Sequence, residues 1–221
     1  MSAENRRYSD RVFRKAGLAV EGWPFVLAVL IVGAVVFAMG FVWAGVFSLF
    51  LALLVAGFFR DPQRKMPTDP DLLISPADGK VIKVDRSEDG GLHVAIFLSV
   101  FDVHVNRSPI EGTVERVRYR PGRYLAAFKD EVEQQNERNE LWLDTARGRV
   151  KIVQIAGLIA RRIVCRVKPG EIVPRGERFG LIRFGSRTDL HLPPGAEALV
   201  EVGDRVRGAQ TPVARWIERK P

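Results

Sequence analysis

The chain reads as a mainly β domain, barrel-sandwich-like with carrier-domain-like hairpins, preceded by an N-terminal hydrophobic helical hairpin. Three observations predict this. Residues 23–59 contain no Asp, Glu, Lys, Arg or His. From residue 73 onward, short apolar runs alternate with Gly, Pro and Asp turns. Two late stretches share the order Val-x-x-Gly-acid-x-Val, namely Val167-Lys168-Pro169-Gly170-Glu171-Ile172-Val173 and Val200-Glu201-Val202-Gly203-Asp204-Arg205-Val206. A hairpin with Gly at its positive-φ turn position explains each copy. No lysine sits at a matching turn tip, which argues against a carrier role.

Taken in order, residues 1–22 form a basic segment carrying Arg6, Arg7, Arg11, Arg14 and Lys15. The uncharged run 23–59 exceeds the ~20 residues that one membrane helix needs. It suits two short helices meeting near Met39-Gly40. Arg60, Arg64 and Lys65 follow it, so both flanks are basic and the expected hairpin has both ends in the cytoplasm. The run is much longer than the apolar region of a signal peptide. Arg60-Asp61-Pro62 closes the apolar run, and Pro67, Pro70 and Pro76 mark an extended linker, set at 60–72.

The folded domain is expected over 73–221. Strand-type runs occupy 80–84, 93–98, 114–119, 150–155 and 163–167. Residues 125–141 are polar and read as an excursion with helix-compatible composition. Within it, Lys129 to Asn139 is a candidate lid over a site, or a solvated loop.

Composition narrows the function classes. There are 34 Lys+Arg against 26 Asp+Glu, a net charge of +8, and a single cysteine. Cys165 lies in an apolar run and is expected to be a structural thiol. The positive charge is spread along the chain with no nucleic-acid motif, so an anionic lipid surface is the better partner. No His or Cys pair has metal-ligand spacing, so no metal is expected.

The three histidines differ in setting. His93 follows a Gly-Gly turn and is expected to face solvent. His191 is close in sequence to Ser186, on its rim or in a structural role. His104 stands in Asp102-Val103-His104-Val105-Asn106-Arg107, where alternation puts Asp102, His104 and Asn106 on one face of an extended segment. Asp78 occupies a turn, Ser75-Pro76-Ala77-Asp78-Gly79, leading into a strand. Gly185-Ser186 is a peptide link at which a hydroxyl can turn back onto the preceding carbonyl, because glycine adds no bulk there.

In their order, Phe59-Arg60-Asp61-Pro62, Ser75-Pro76-Ala77-Asp78-Gly79-Lys80-Val81, Phe101-Asp102-Val103-His104-Val105-Asn106-Arg107-Ser108-Pro109, Asn136-Glu137-Arg138-Asn139 and Gly185-Ser186-Arg187 resemble the phosphatidylserine decarboxylases, in particular the short, membrane-attached form. The resemblance covers about three quarters of the chain. It implies self-cleavage at Gly185-Ser186 into fragments 1–185 and 186–221, which stay together as a heterodimer. It implies a pyruvoyl group made from Ser186 and decarboxylation of a serine phospholipid at the cell membrane. By motif, Asp78 and His104 are the pair that assists Ser186, while Arg107 and Asn106 are candidates to meet the substrate. Longer members have Leu-Gly-Ser-Thr at the cut and two histidines near His104, whereas this chain has Phe184-Gly185-Ser186-Arg187 and one. Two other readings fit the residues: a membrane-tethered β-barrel adaptor without enzymatic activity, and the same chemistry on an ether-linked archaeal serine lipid.

Overall fold

The structure, a computed structural model, describes residues 14–15, 17–123, 135–157, 162–183 and 186–217. The chain divides into two compact units with the boundary between Gln63 and Arg64.

In the first unit, strands β1 (Arg14–Lys15) and β2 (Leu18–Ala19) pair antiparallel. A 3-10 turn, Val20–Gly22, leads into helix α1 (Trp23–Ala38), which is followed by α2 (Val42–Phe58). Pro24 lies in the first turn of α1, where no intrahelical N–H bond is lost. Gly40, at φ 91°, makes the reversal between the helices. Small residues let the two helices approach: a Cβ on Gly33 would lie 2.5 Å from Ser48 Cβ, and one on Gly45 2.7 Å from Phe37 Cβ. Much of the rest faces outward and is apolar, including Ile31, Val32, Trp43 and Leu53. Residues Val20–Ala38 have a mean hydropathy of 2.2 and are long and apolar enough to cross a membrane. The 17 residues of α2 rise about 26 Å at ~1.5 Å per residue, slightly less than a hydrocarbon core of ~30 Å.

The second unit is antiparallel β. Its strands are β3 (Leu72–Ile74), β4 (Gly79–Arg86), β5 (Leu92–Leu98), β6 (Val105–Arg107), β7 (Gly112–Arg120), β8 (Arg138–Thr145), β9 (Gly148–Ala156), β10 (Ile163–Cys165), β11 (Ile172–Val173), β12 (Arg178–Ile182), β13 (Ser186–Leu192), β14 (Ala196–Ala198), β15 (Arg205–Val206) and β16 (Pro212–Trp216). Eight of them form one sheet in the order β11-β7-β8-β9-β13-β5-β4-β15. Two three-stranded sheets, β14-β16-β3 and β10-β12-β6, complete it. Val94, Ile96, Leu141, Leu143, Ile152 and Leu190 from the large sheet meet Leu73, Phe179, Val213 and Trp216 in one core.

The sheet order is symmetric about the β9–β13 pair, and the chain shows why. Ser75-Pro76-Ala77-Asp78-Gly79-Lys80-Val81 recurs as Ser108-Pro109-Ile110-Glu111-Gly112-Thr113-Val114, and the offset of 33 residues from Ser75 to Ser108 also relates Gly170 to Gly203. Matching hydrogen bonds follow it. Gly203 N donates to Val81 O at 2.9 Å as Gly170 N does to Val114 O at 2.8 Å. Ala209 N donates to Ser75 O as Gly176 N does to Ser108 O. Gly176 and Ala209 both have positive φ, 77° and 61°. Ile74 N reaches Pro109 O while Arg107 N reaches Pro76 O, a reciprocal pair across the pseudo-two-fold.

Two expectations change. The Val-x-x-Gly-acid-x-Val copies do turn at positive-φ glycines, Gly170 and Gly203. However, β11 pairs with β7 and β15 with β4, so each copy caps an outer edge of the large sheet instead of closing a hairpin on itself. The polar segment 125–141 is not loop to its end. From Arg138 it is strand, paired on both sides by β7 and β9, and Asn136, Glu137 and Asn139 are buried. Residues 125–134 of that segment lie outside the described residues.

Gly180, in the middle of β12, has no room for a side chain: a Cβ there would lie 2.2 Å from Val164 O and 2.9 Å from Gln154 Nε2. Gly180→Ala should destabilise the domain by about 1–3 kcal/mol, seen as a lowered midpoint in thermal unfolding of the detergent-solubilised protein. Gly57→Ala, which meets nothing within 4 Å, should not lower it.

Candidate active site

β13 lies at the centre of the large sheet, in register with β5 from Ser186↔Leu98 to Leu192↔Leu92 and with β9 from Ser186↔Ala156 to His191↔Lys151. Ser186 is its first residue and is completely buried. Among the described residues its Oγ makes no hydrogen bond. Gly185, the other half of the expected cleavage site, lies outside the described residues.

The register brings the other candidates to the same end of the sheet. Leu98, opposite Ser186, is the last residue of β5, and the loop that carries His104 begins there. Asp78 immediately precedes β4, whose Lys80 pairs with Phe97. At ~4.8 Å between strands, β4 lies about 10 Å from β13. Residues far apart in sequence thus converge on the head of β13.

His104 is buried, and its Nδ1 lies 2.9 Å from Asp102 O. A carbonyl can only accept, so Nδ1 carries the proton and Nε2 is the basic nitrogen of the neutral ring. Asp102 is itself held: Ser99 N and Oγ donate to Oδ2 at 2.8 and 2.7 Å, and Arg205 Nη1 to Oδ1 at 3.1 Å. Ile182 N donates to His104 O at 3.3 Å, tying this residue to the end of β12. Asp102, His104 and Asn106 therefore do not share one extended face. Asp102 N bonds back to Ser99 O in a turn, and the strand covers only Val105–Arg107.

Asp78 is not hydrogen-bonded to His104. Its Oδ2 receives Arg64 Nη2 at 2.7 Å and its Oδ1 receives Gly208 N at 2.7 Å. Burial pushes its carboxyl above the ordinary value, and Arg64 and the Gly208 amide pull it partly back. The imidazole is oriented by the Asp102 carbonyl, the place where an acid partner was expected.

Asn106 and Arg107 are both buried. Asn106 Nδ2 donates to Thr188 Oγ1 at 3.2 Å, and Gln154 Nε2 donates to Asn106 Oδ1 at 2.8 Å. Asn139 Nδ2 extends the network to Gln154 Oε1 at 3.0 Å. Sequence reasoning missed Thr188 and Gln154. The available signal was position: Thr188 is two residues past Ser186 and so shares its face of the strand. Arg107 reaches Gly176 O at 3.4 Å.

The opposite face of β13 carries Arg187, Asp189 and His191. Arg187 is 1% exposed and Asp189 0%. Arg187 Nε and Nη2 meet the two oxygens of Asp189 at 2.6 and 2.7 Å. His93, expected to face solvent, is buried: its Nε2 lies 3.2 Å from Asp189 Oδ2 and its Nδ1 2.9 Å from Asp85 Oδ1. Its neighbours in register are Asp85 and His191 on the two adjacent strands, which cover the ring. His93, Asp189 and His191 bring one ligand atom each within 4.8 Å of one another. Both Asp189 oxygens already accept from the Arg187 cation, so the group is an ion-pair chain. Burial raises the Cys165 thiol above its ordinary value, which keeps it protonated and poorly nucleophilic.

The sequence profile described as phosphatidylserine decarboxylase matches residues 51–214. The chain belongs to the phosphatidylserine decarboxylase family. A relative from Nitrosomonas eutropha is 48% identical over 206 residues, covering 90% of this chain and 95% of its own. One from Burkholderia ambifaria is 44% identical over 204 residues, 89% of this chain and 95% of its own. Both are named phosphatidylserine decarboxylase proenzyme.

The Asp78 environment has a consequence for stability. A carboxyl raised in the folded state binds its proton more tightly there than in the unfolded chain. Its contribution to stability is full below the ordinary value of 3.8 and is lost as pH rises through the folded value. Asp78→Asn should flatten that part of the melting-temperature–pH curve. Arg64→Met, which removes an attraction opposing the shift, should steepen it and move it to higher pH.

Proposed function

We propose that this chain is a self-processing decarboxylase that cuts itself between Gly185 and Ser186, converts Ser186 to a pyruvoyl group, and turns phosphatidylserine into phosphatidylethanolamine and CO2. The observation that carries this reading is the buried Ser186 hydroxyl, without a hydrogen bond among the described residues, at the same sheet end as a histidine whose tautomer is set. Leaving a buried hydroxyl unbonded costs about 1–3 kcal/mol. A group kept in that state is expected at a reactive site. It also suits the pyruvoyl group, whose formation removes that hydroxyl.

In the proenzyme, His104 Nε2 takes the Oγ proton as Oγ bonds to the Gly185 carbonyl carbon. The Gly185–Ser186 C–N bond breaks and an ester replaces it. Loss of the Ser186 α-proton then breaks the Cβ–Oγ bond, releasing the Gly185 carboxylate. The dehydroalanine left at position 186 is hydrolysed to pyruvoyl and ammonia. Asp78 acts from the edge of this site, through its charge and its hold on Arg64 and Gly208.

The pyruvoyl group supplies the electron sink when the substrate carboxylate leaves as CO2. The chain's own residues do the rest. His104 holds the proton that the product α-carbon needs. Thr188, through Asn106 and Gln154, holds the new chain end from the core side. Arg107 and Asn106 remain candidates for substrate contact, though both already hold protein partners. Fragment 186–221 contributes β13, β15 and β16, which pair with strands of fragment 1–185, so the two remain one folded body after the cut. The apolar helices anchor the enzyme in the bilayer that holds its substrate, with the basic residues after α2 placing the catalytic unit on the cytoplasmic side.

Intact mass of the purified protein tests the reading. Wild type should yield a fragment 186–221 with a blocked, ketone-bearing N-terminus. Ser186→Ala should remain a single chain of 24.8 kDa without decarboxylase activity. An uncut wild type that is fully active would refute the mechanism. His104→Ala should slow self-cleavage by about 10²–10⁴-fold, the usual range for a lost general base, in a time course on denaturing gels.

A further inference from the structure

We propose that Arg187 is a positioning residue: locked by the chain Asp189–His93–Asp85, buried at its Asp189 and His93 members, on the outer face of the sheet, it holds residue 186 in place once the chain has been cut before it. This rests on the self-cleavage proposed above and concerns residues that the chemistry itself does not use.

The chain of contacts crosses three adjacent strands. Arg187 and Asp189 are on β13, His93 is on β5 and Asp85 is on β4, where it pairs in register with His93. Both ring nitrogens of His93 face carboxylate oxygens, at 2.9 and 3.2 Å. Only the doubly protonated ring donates to both. His191 stacks on it with centroids 4.2 Å apart and planes 7° from parallel. Burial, His93 and Lys151 hold His191 neutral, its pKa lowered to about 3. Two carboxylates therefore bracket the His93 ring, the buried one paired with Arg187, with a neutral ring beside them. Val153, Ile155 and Ala95, all buried, flank β13 on this face and keep the Arg187–Asp189 pair from exchanging partners with water.

Such an arrangement is a poor way to gain stability alone. Taking Arg187 and Asp189 out of water carries a large desolvation penalty, and apolar side chains of similar size often serve stability as well or better. What the bidentate pair adds is a fixed geometry. Geometry is what the cut removes. Before cleavage, residue 186 is held by chain on both sides; afterwards it is a strand terminus, and termini open at almost no free-energy cost. Two side chains next to it oppose that opening from opposite faces, Thr188 through Asn106 on the inner side and Arg187 through Asp189 on the outer. With both in place the group at position 186 keeps one orientation toward the substrate. A misplacement of ~1 Å can cost about 100-fold in rate.

The test uses full-length, detergent-solubilised protein with Arg187→Met, Arg187→Lys and His93→Gln. Fragment 186–221 is followed by mass, pyruvoyl content by phenylhydrazine labelling, and kcat and KM are expressed per pyruvoyl group. In Arg187→Met, kcat per pyruvoyl should fall about tenfold or more with KM within about twofold. Arg187→Lys should recover part of the loss. His93→Gln, remote from the cut, should show a smaller fall in the same direction. A purely structural role would lower the amount of folded, processed protein and leave kcat per pyruvoyl unchanged. That result in Arg187→Met overturns the proposal, and if Arg187→Met does not fold, the same result in His93→Gln overturns it. A wild type that never yields fragment 186–221 would instead overturn the self-processing reading.

Discussion

Burial of Ser186 at the head of a strand that is paired on both sides is the constraint on which the rest depends. A hydroxyl in that position has no water to bond with and, among the described residues, no protein partner. Its backbone is pinned by β5 and β9. The loop carrying His104 leaves from the residue opposite Ser186, so one register decision places both side chains. A slip of one residue between β5 and β13 would turn Ser186 to the Arg187 face and put the ion-pair chain into the core.

The pseudo-two-fold explains how the fold can offer such a place. Its two halves share turns, edge caps and hydrogen bonds, yet only one carries the candidate site. Asp78 and Glu111 occupy equivalent turns. Asp78 is buried against Arg64 and the Gly208 amide, whereas Glu111 is exposed. The repeated turn supplies a position for an acid, and the partners that gather around it decide whether its charge is perturbed. The same division holds along β13, where one face carries an amide and hydroxyl network and the other carries formal charges.

The positive charge of the chain is likewise partly structural. Arg187 is spent on Asp189 and Arg64 on Asp78 and Gln210. Arg175 Nη1 donates to Asp69 O at 2.6 Å and to Leu72 O at 3.1 Å, holding the proline-marked residues 67–72 against the β domain. The count of 34 Lys+Arg therefore overstates the basic surface.

From the sequence alone one could determine the uncharged helical hairpin, because 37 residues without an ionisable group have few other uses, and the β character of the remainder, because its apolar runs are short and bounded by turns. The motif resemblance picked out Ser186, His104 and Asp78. The 33-residue repeat is also legible, in Ser-Pro-x-acid-Gly-x-Val, and is more complete than the echo near the C-terminus. Tertiary structure alone decided the rest. His93 and Gln154 sit between apolar neighbours in strands, and alternation assigns such residues to a solvent face. They are buried because the central strands of this sheet are covered on both faces, which no period-2 pattern can report. Asp78 and His104 also looked like an acid–imidazole pair. Hydrogen bonds reach about 3 Å, and at that range only the folded chain determines that Arg64 takes the acid and the Asp102 carbonyl takes the ring.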